Sequence, residues 1–245
     1  MPPRRKDIDR ILAEWPYRSG EVLARLVKAA DGREVLQMRV DMGILQLETE
    51  HRPDGSRPHG AETLFEYLQA QSRIDPDFEL NAESCQEADR EFVQFYHRRI
   101  CWLSLREYRR AVADADHSLA FMDFVRGHSP DDEWTMTHEQ YRPFVLFHRV
   151  QAGGLAELEE NGPEAAIREI NAGLDRFRAM YEMYDAGEKY EDDELVARLI
   201  ELKESLREHY RVGRTLDEQL ADAVAAEKYE LAAQLRDQMA RRETP

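Results

Sequence analysis

The sequence predicts a mostly α protein, built as a helical-hairpin body with a small amino-terminal α/β module and a carboxy-terminal antiparallel helical hairpin. Three observations predict it. From about Glu87 onward the chain is almost continuously helix-forming, broken only at residues 127–132, at Asn161-Gly162-Pro163 and at Ala186-Gly187. Ahead of that body, two runs of strand character flank Asp31-Gly32. In the last thirty residues, apolar side chains recur at helical spacing on both sides of Glu227-Lys228. The expected organisation is residues 1–75 as the amino-terminal module, 87–185 as the helical body and 193–242 as a helical stalk with the terminal hairpin.

In the amino-terminal module, Ile8, Ile11, Leu12 and Trp15 mark a short amphipathic helix that Pro16 ends. Residues 22–29 and 34–42 read as the two strands of a β-hairpin, because Gly32 accepts positive φ at the turn. Leu36, Met38, Val40 and Met42 alternate with Val35, Gln37, Arg39 and Asp41, the two-residue period of a half-buried strand. Gly43 is expected to interrupt a continuation over residues 44–48, as a bulge or a close backbone approach. A donor-rich loop over residues 51–60 follows, then a short helix carrying Leu64, Phe65 and Leu68. Gln37, Arg39 and Asp41, with Arg52, Asp54 and His59 from the loop, are the candidate ligand-binding residues, the arginines being suited to an anionic or peptide ligand. The competing reading of the same residues is an Arg and Asp network that pins a long loop.

The body reads as helical hairpins. Phe92, Phe95, Tyr96, Ile100, Trp102 and Leu103 lead to a turn near Arg106, beyond which Tyr108, Ala111, Val112, Ala115 and Leu119 form the return helix. Val150, Gly153-Gly154 and Leu158 lead to Asn161-Gly162-Pro163, followed by Ala166, Ile167, Ile170, Leu174 and Phe177. An offset of 55 residues places Ala111-Val112 on Ala166-Ile167 and Leu119 on Leu174. Trp102, Tyr108 and Ala111, with Gly154 and Ala166, resemble tetratricopeptide repeats, which place a small glycine between paired helices. Arg99 stands where the first unit's glycine belongs, and the offset exceeds the usual period of about 34 residues, so divergent hairpins or an ordinary bundle are expected instead of a regular solenoid. Residues 184–193 read as a solvated connection. Leu195, Leu199, Leu202 and Leu206 then form a coiled-coil-like seam, suited to a third helical layer or to a dimerising stalk.

The terminal pattern is Leu216, Leu220, Ala223 and Val224, then Glu227, Tyr229-Glu230, Ala232-Ala233, Leu235-Arg236-Asp237 and Met239. It resembles the UVR motif, a short helical hairpin of excinuclease subunits B and C, activators of protein-arginine kinase and some Clp-type ATPases, and the whole chain resembles bacterial proteins bearing that motif. The resemblance covers about a tenth of the chain. It implies a protein-contact element, with Leu216, Leu220, Tyr229, Ala232, Leu235, Arg236 and Met239 as the candidate partner-binding or self-association residues. Periodicity alone predicts two short antiparallel helices, with alanines permitting close approach and Tyr229 closing the end of a small core. Short isolated helices are marginal in water, so a partner surface is expected.

Composition narrows the function classes. A formal net charge of -16, from 34 Lys plus Arg against 50 Asp plus Glu, opposes direct nucleic-acid binding, whose affinity comes largely from cationic side chains. No run approaches the roughly 18 apolar residues of a membrane span, and the first thirty residues lack a signal-peptide core, so a cytoplasmic location is expected. Cys85 and Cys101 stand apart with no CxxC pair, unlike the kinase activators that share the motif. His51, Asp54, His59 and Glu62 match no metal signature, and no nucleophile setting or phosphate-cradling glycine loop occurs, so neither a metal nor another cofactor is expected. The resulting expectation is a non-enzymatic adaptor that contacts partners through its helical repeats and terminal hairpin. The alternatives are an accessory factor in DNA excision repair or a stress response, recruited by the hairpin, and a ligand sensor or small enzyme using the amino-terminal polar residues.

Overall fold

The computed structural model describes residues 7–243 and shows a mostly α chain with a three-stranded antiparallel sheet near its amino terminus. Two compact units divide it, Met1–Arg149 and Val150–Pro245. The division falls inside one long helix. Helix α2 (Leu64–Ile74) shares a core with helices α3 (Ala82–Ser104) and α4 (Tyr108–His128), where Leu64, Phe65 and Leu68 meet Ala88, Phe121 and Val125.

In the first unit, α1 (Asp9–Glu14) precedes strands β1 (Leu23–Lys28), β2 (Glu34–Val40) and β3 (Gly43–Glu48). The β1–β2 turn is the expected one: Gly32 has φ +88° and its N–H reaches the Ala29 carbonyl, while the Ala29 N–H bonds the Arg33 carbonyl. The second turn corrects the sequence reading. Val40 pairs with Gly43 across a two-residue loop, Asp41-Met42, so Gly43 begins β3 and marks no bulge. Nothing lies within 4 Å of a Cβ built on Gly43, which also removes close backbone approach as its reason. Register aligns Leu26, Leu36 and Leu47 on one face, with Ala24, Met38 and Leu45 beside them. Arg25, Gln37 and Gln46 form a row on the opposite face.

The α3–α4 hairpin turns at Arg106, whose φ of +61° is left-handed. Asp131 then caps a short helix, α5 (Asp132–Glu139), through the Trp134 N–H. Helix α6 (Arg142–Asn161) carries the boundary between the units.

In the second unit, Gly162 at φ +86° turns the chain into α7 (Pro163–Met183), with Pro163 at the first helical position, where a missing N–H costs nothing. Both ends of α7 lie 55 residues beyond those of α4, the offset read from the apolar pattern. A Cβ on Gly154 would come within 2.7 Å of Ile170 Cγ1, and one on Gly173 within 2.3 Å of Val150 Cγ1. The glycines are thus what lets this helix pair close. Residues 184–193 are more ordered than a solvated connection: a 3-10 turn over Gly187–Tyr190 brings Tyr190 under the Arg178 guanidinium at 4.7 Å, and Tyr181 Oη donates to Asp193. Helix α8 (Glu194–Tyr210) packs on α7 as a third layer, burying Val196, Leu199 and Leu206. Val196 takes the inward place expected of Leu195, which is half-buried. No described helix is long and apolar enough to cross a membrane.

Candidate functional site

The terminal hairpin consists of α9 (Leu216–Ala225) and α10 (Tyr229–Glu243). Thr215 begins it with a capping box: its hydroxyl accepts the Glu218 N–H, and Glu218 Oε2 accepts the Thr215 N–H at 2.8 Å. The helix stops where Glu227 adopts φ +55° and the Lys228 N–H bonds the Ala223 carbonyl. Ala223, Ala232 and Leu235 form the buried seam, with Leu216 and Leu220 packed against it.

Two of the seven predicted contact residues, Ala232 and Leu235, are therefore consumed by the hairpin's own core. Leu216 and Leu220 support that core, and Met239 is half-buried. Tyr229 corrects the sequence reading: it is 69 % exposed and does not close the core, because the core ends at Ala232 and the tyrosine lies beyond it at the turn. Leu231 and Val224 are exposed as well, and Arg236 faces solvent. Tyr229 and Leu231, with Glu227, Lys228 and Glu230, line a shallow depression at the turn.

The base of the hairpin is pinned to its own unit. Arg207 on α8 donates through Nη2 to Glu218 Oε1 at 2.6 Å and through Nη1 to the Gly213 carbonyl. Asn171 on α7 donates to the same Glu218 oxygen at 3.2 Å and accepts from Lys203 Nζ. Burial opposes the charge on Glu218, but the Thr215 N–H, Asn171 and Arg207 outweigh it and hold the carboxyl below its ordinary range.

The predicted amino-terminal ligand residues fall into separate networks. Arg39 is 7 % exposed, with Nε bonded to the Trp15 carbonyl and Nη1 to the carbonyls of Val40, Asp41 and Gly43. It pins the β2–β3 turn and the end of α1. Gln37 bonds Arg25 and Gln46 along the sheet, while Asp41 is exposed in the turn instead of standing beside Arg39 on the strand. Arg52 belongs elsewhere: it is 3 % exposed and reaches Glu87 at 3.0 Å and Gln94 at 3.2 Å. Asp54 accepts from Ser56 and from Gln94 Nε2, and His59 stacks on Tyr67 with centroids 4.0 Å apart. A cleft of about 620 Å³ beside the loop does include Arg52, but its Arg33 is held by Asp31 and Glu48, and its Arg110 by Glu34 and Glu107. These geometries match the loop-pinning network and do not converge on one ligand.

A larger apolar cavity went unread in the sequence. It occupies about 920 Å³ within the first unit, bounded by α3, α4, α5 and the start of α6. Phe92, Tyr96, Met122, Trp134, Phe144 and Val145 supply most of its wall. Asp89 fixes one side by accepting from Trp134 Nε1 at 3.1 Å and bonding His138 Nε2 at 2.9 Å. Burial nevertheless lowers the pKa of His138 below its ordinary value, with Asp89 offsetting part of the fall.

Arg99, further along α3, also lines the cavity, with only 2 % of its surface exposed. Nη1 donates to Ser118 Oγ at 3.0 Å and Nε to His148 Nδ1 at 3.4 Å. Neighbouring Arg98 has what Arg99 lacks: a two-pronged pair with Asp114, plus the carbonyls of Glu48 and His51. Burial pushes the Arg99 pKa down to about 10, against the attraction of Asp114. The local signal was the missing glycine. At the position that Gly154 occupies in the second hairpin, Arg99 inserts a guanidinium, and its partner Ser118 stands where Gly173 stands in α7.

Among the described residues, no group of three His, Cys, Asp or Glu side chains is gathered to hold a metal ion. Comparison of the chain with protein-family models, curated proteins and solved structures finds no match in any of the three.

Proposed function

We propose that this chain is a non-enzymatic interaction protein that engages a protein partner, or a second copy of itself, through the turn end of the α9–α10 hairpin. The observation that supports this reading is the division of labour within the hairpin. Alanines and Leu235 close a small internal seam, the Arg207–Glu218–Asn171 network anchors the base, and Tyr229, Leu231 and Val224 remain exposed at the opposite end. A tyrosine beside aliphatic side chains combines contact area with a polar tip, a combination enriched in protein interfaces. The resemblance to the UVR motif points to the same hairpin as a protein-contact element.

The test replaces Tyr229 and Leu231 together by glutamate in the full chain. Sedimentation velocity measures self-association, and affinity capture from native lysate measures partner binding, with intact protein and a form ending near Val212 as references. Loss of the captured species or of the self-associated form, with an unchanged circular dichroism spectrum, is the expected result. Capture and self-association equal to those of the intact chain would reduce the hairpin to internal packing. The motif resemblance also supports a second reading, an accessory factor in DNA excision repair or a stress response that acts through the same protein contact.

A further inference from the structure

We propose that the cavity between α3, α4, α5 and α6 binds a small carboxylic acid with an apolar body, its carboxylate paired with Arg99. The cavity is within the size range of small-molecule sites, about 300–1,000 Å³, and has their usual character, apolar walls with a few polar groups.

The case rests on an unused donor. A guanidinium carries five N–H groups, and Arg99 uses Nε and Nη1. Among the described residues, Nη2 makes no hydrogen bond and no carboxylate forms an ion pair with Arg99, although every sealed polar side-chain atom has a partner. Nη2 therefore meets accessible space, and the space that Arg99 borders is the cavity. A buried cation without a counter-ion is costly, and an anion placed there recovers that cost through a charge-assisted hydrogen bond in a low dielectric.

Charge and shape select the ligand class. One guanidinium flanked by a neutral hydroxyl balances one negative charge. A phosphate, with a charge nearer -2, would retain an excess. Phe92, Met122 and Val145 offer a hydrocarbon chain or ring nothing but apolar contact, and the exposed Val93 and Tyr141 at the rim extend that surface to the mouth. Asp114 is no substitute counter-ion, because both its oxygens are held by Arg98.

Titration calorimetry of the full chain with dodecanoate and with dodecanol, both below their aggregation limits, tests the assignment. Dodecanoate is expected to bind saturably near one equivalent and about tenfold or more tighter than the alcohol. Arg99→Met is expected to abolish that preference while keeping alcohol binding. Val93→Asp, at a half-exposed rim position that folding does not require, is expected to weaken the acid by a similar factor without lowering the melting temperature. If Arg99→Met fails to fold, the acid-to-alcohol ratio of the intact chain and the Val93→Asp result decide. Equal affinity for acid and alcohol, no saturable binding of dodecanoate, or a preference untouched in both variants would overturn the proposal. The hairpin plays no part in this measurement, so its result stands apart from the proposed partner contact.

Discussion

Glu91 is fully buried, yet both its carboxylate oxygens are engaged. Oε2 accepts the Leu64 N–H at 2.7 Å, and Oε1 accepts the Phe65 N–H at 3.1 Å and meets His117 Nε2 at 3.1 Å. It thereby caps α2 from a different helix, where free N–H groups and the helix dipole favour an anion. Arg52 lies 3.7 Å away, so Glu91→Ala would strand two backbone donors and deprive a buried cation of a nearby carboxylate. The expected loss is about 3–5 kcal/mol in urea unfolding. Glu91→Gln should cost less, and a loss under about 1 kcal/mol for the alanine variant would reject the capping role. His97 and His138 give a second prediction. Burial holds the pKa of both below the ordinary 6.5, with the Val93 carbonyl and Asp89 respectively offsetting part of it. The folded state thus prefers the neutral rings. Their contribution is fully present above about pH 6.5 and is lost as pH falls through the folded values. Unfolding free energies measured from pH 7.5 to 5 should fall, and the decline should be shallower in the paired variant His97→Gln with His138→Gln. An unchanged slope in that variant would place the pH dependence elsewhere.

Between helices, the glycines make the sharpest prediction. A Cβ on Gly173 meets Val150 Cγ1, Cγ2 and Cβ at 2.3, 2.4 and 2.9 Å, whereas one on Gly154 meets the Ile170 side chain at 2.7 and 3.1 Å. Val150 and Ile170 are both fully buried and cannot swing into solvent. Gly173→Ala should cost about 1–3 kcal/mol and Gly154→Ala somewhat less, from overpacking. Thermal unfolding checks the order, and a Gly173→Ala variant as stable as the parent would show that α6 and α7 separate freely. These glycines also show how far the sequence could be read. The 55-residue offset was legible because the same apolar spacing occurs twice, and it predicts both ends of α7 from those of α4. The Ala29–Arg33 turn was legible because Gly32 requires positive φ. The β2–β3 turn was not: Asp41-Met42 lacks a glycine in the loop, and alternation continued through it without a break. The cavity was hidden for another reason. Its wall gathers side chains from Asp89 to Val145, and only tertiary packing brings four helices around one guanidinium. The polar residues chosen instead, Arg39 and Arg52, are arginines whose donors the fold uses internally, a fact that residue type cannot reveal.

Charge acts over the whole chain, and here it separates the two readings that the hairpin supports. The formal charge of -16 surrounds any surface with a field that repels phosphate backbones. The hairpin does not escape it: Lys228, Arg236, Arg241 and Arg242 face seven carboxylates over Leu216–Glu243. Elsewhere three arginines are held by carboxylates, Arg33 by Asp31 and Glu48, Arg98 by Asp114 and Arg110 by Glu34. Nucleic-acid affinity at moderate salt depends on releasing counterions, with roughly one unit of logarithmic salt slope per neutralised phosphate. On a chain with a formal charge of -16, little release is expected. Fluorescence anisotropy with duplex and single-stranded DNA, at low and near-physiological salt, should show only weak binding in both conditions. A repair role would then have to run through a protein partner at Tyr229 and Leu231, and the glutamate variant at those positions would remove it. Tight binding that falls steeply with added salt would instead reveal a focused basic surface, and would place direct contact with DNA ahead of the adaptor reading.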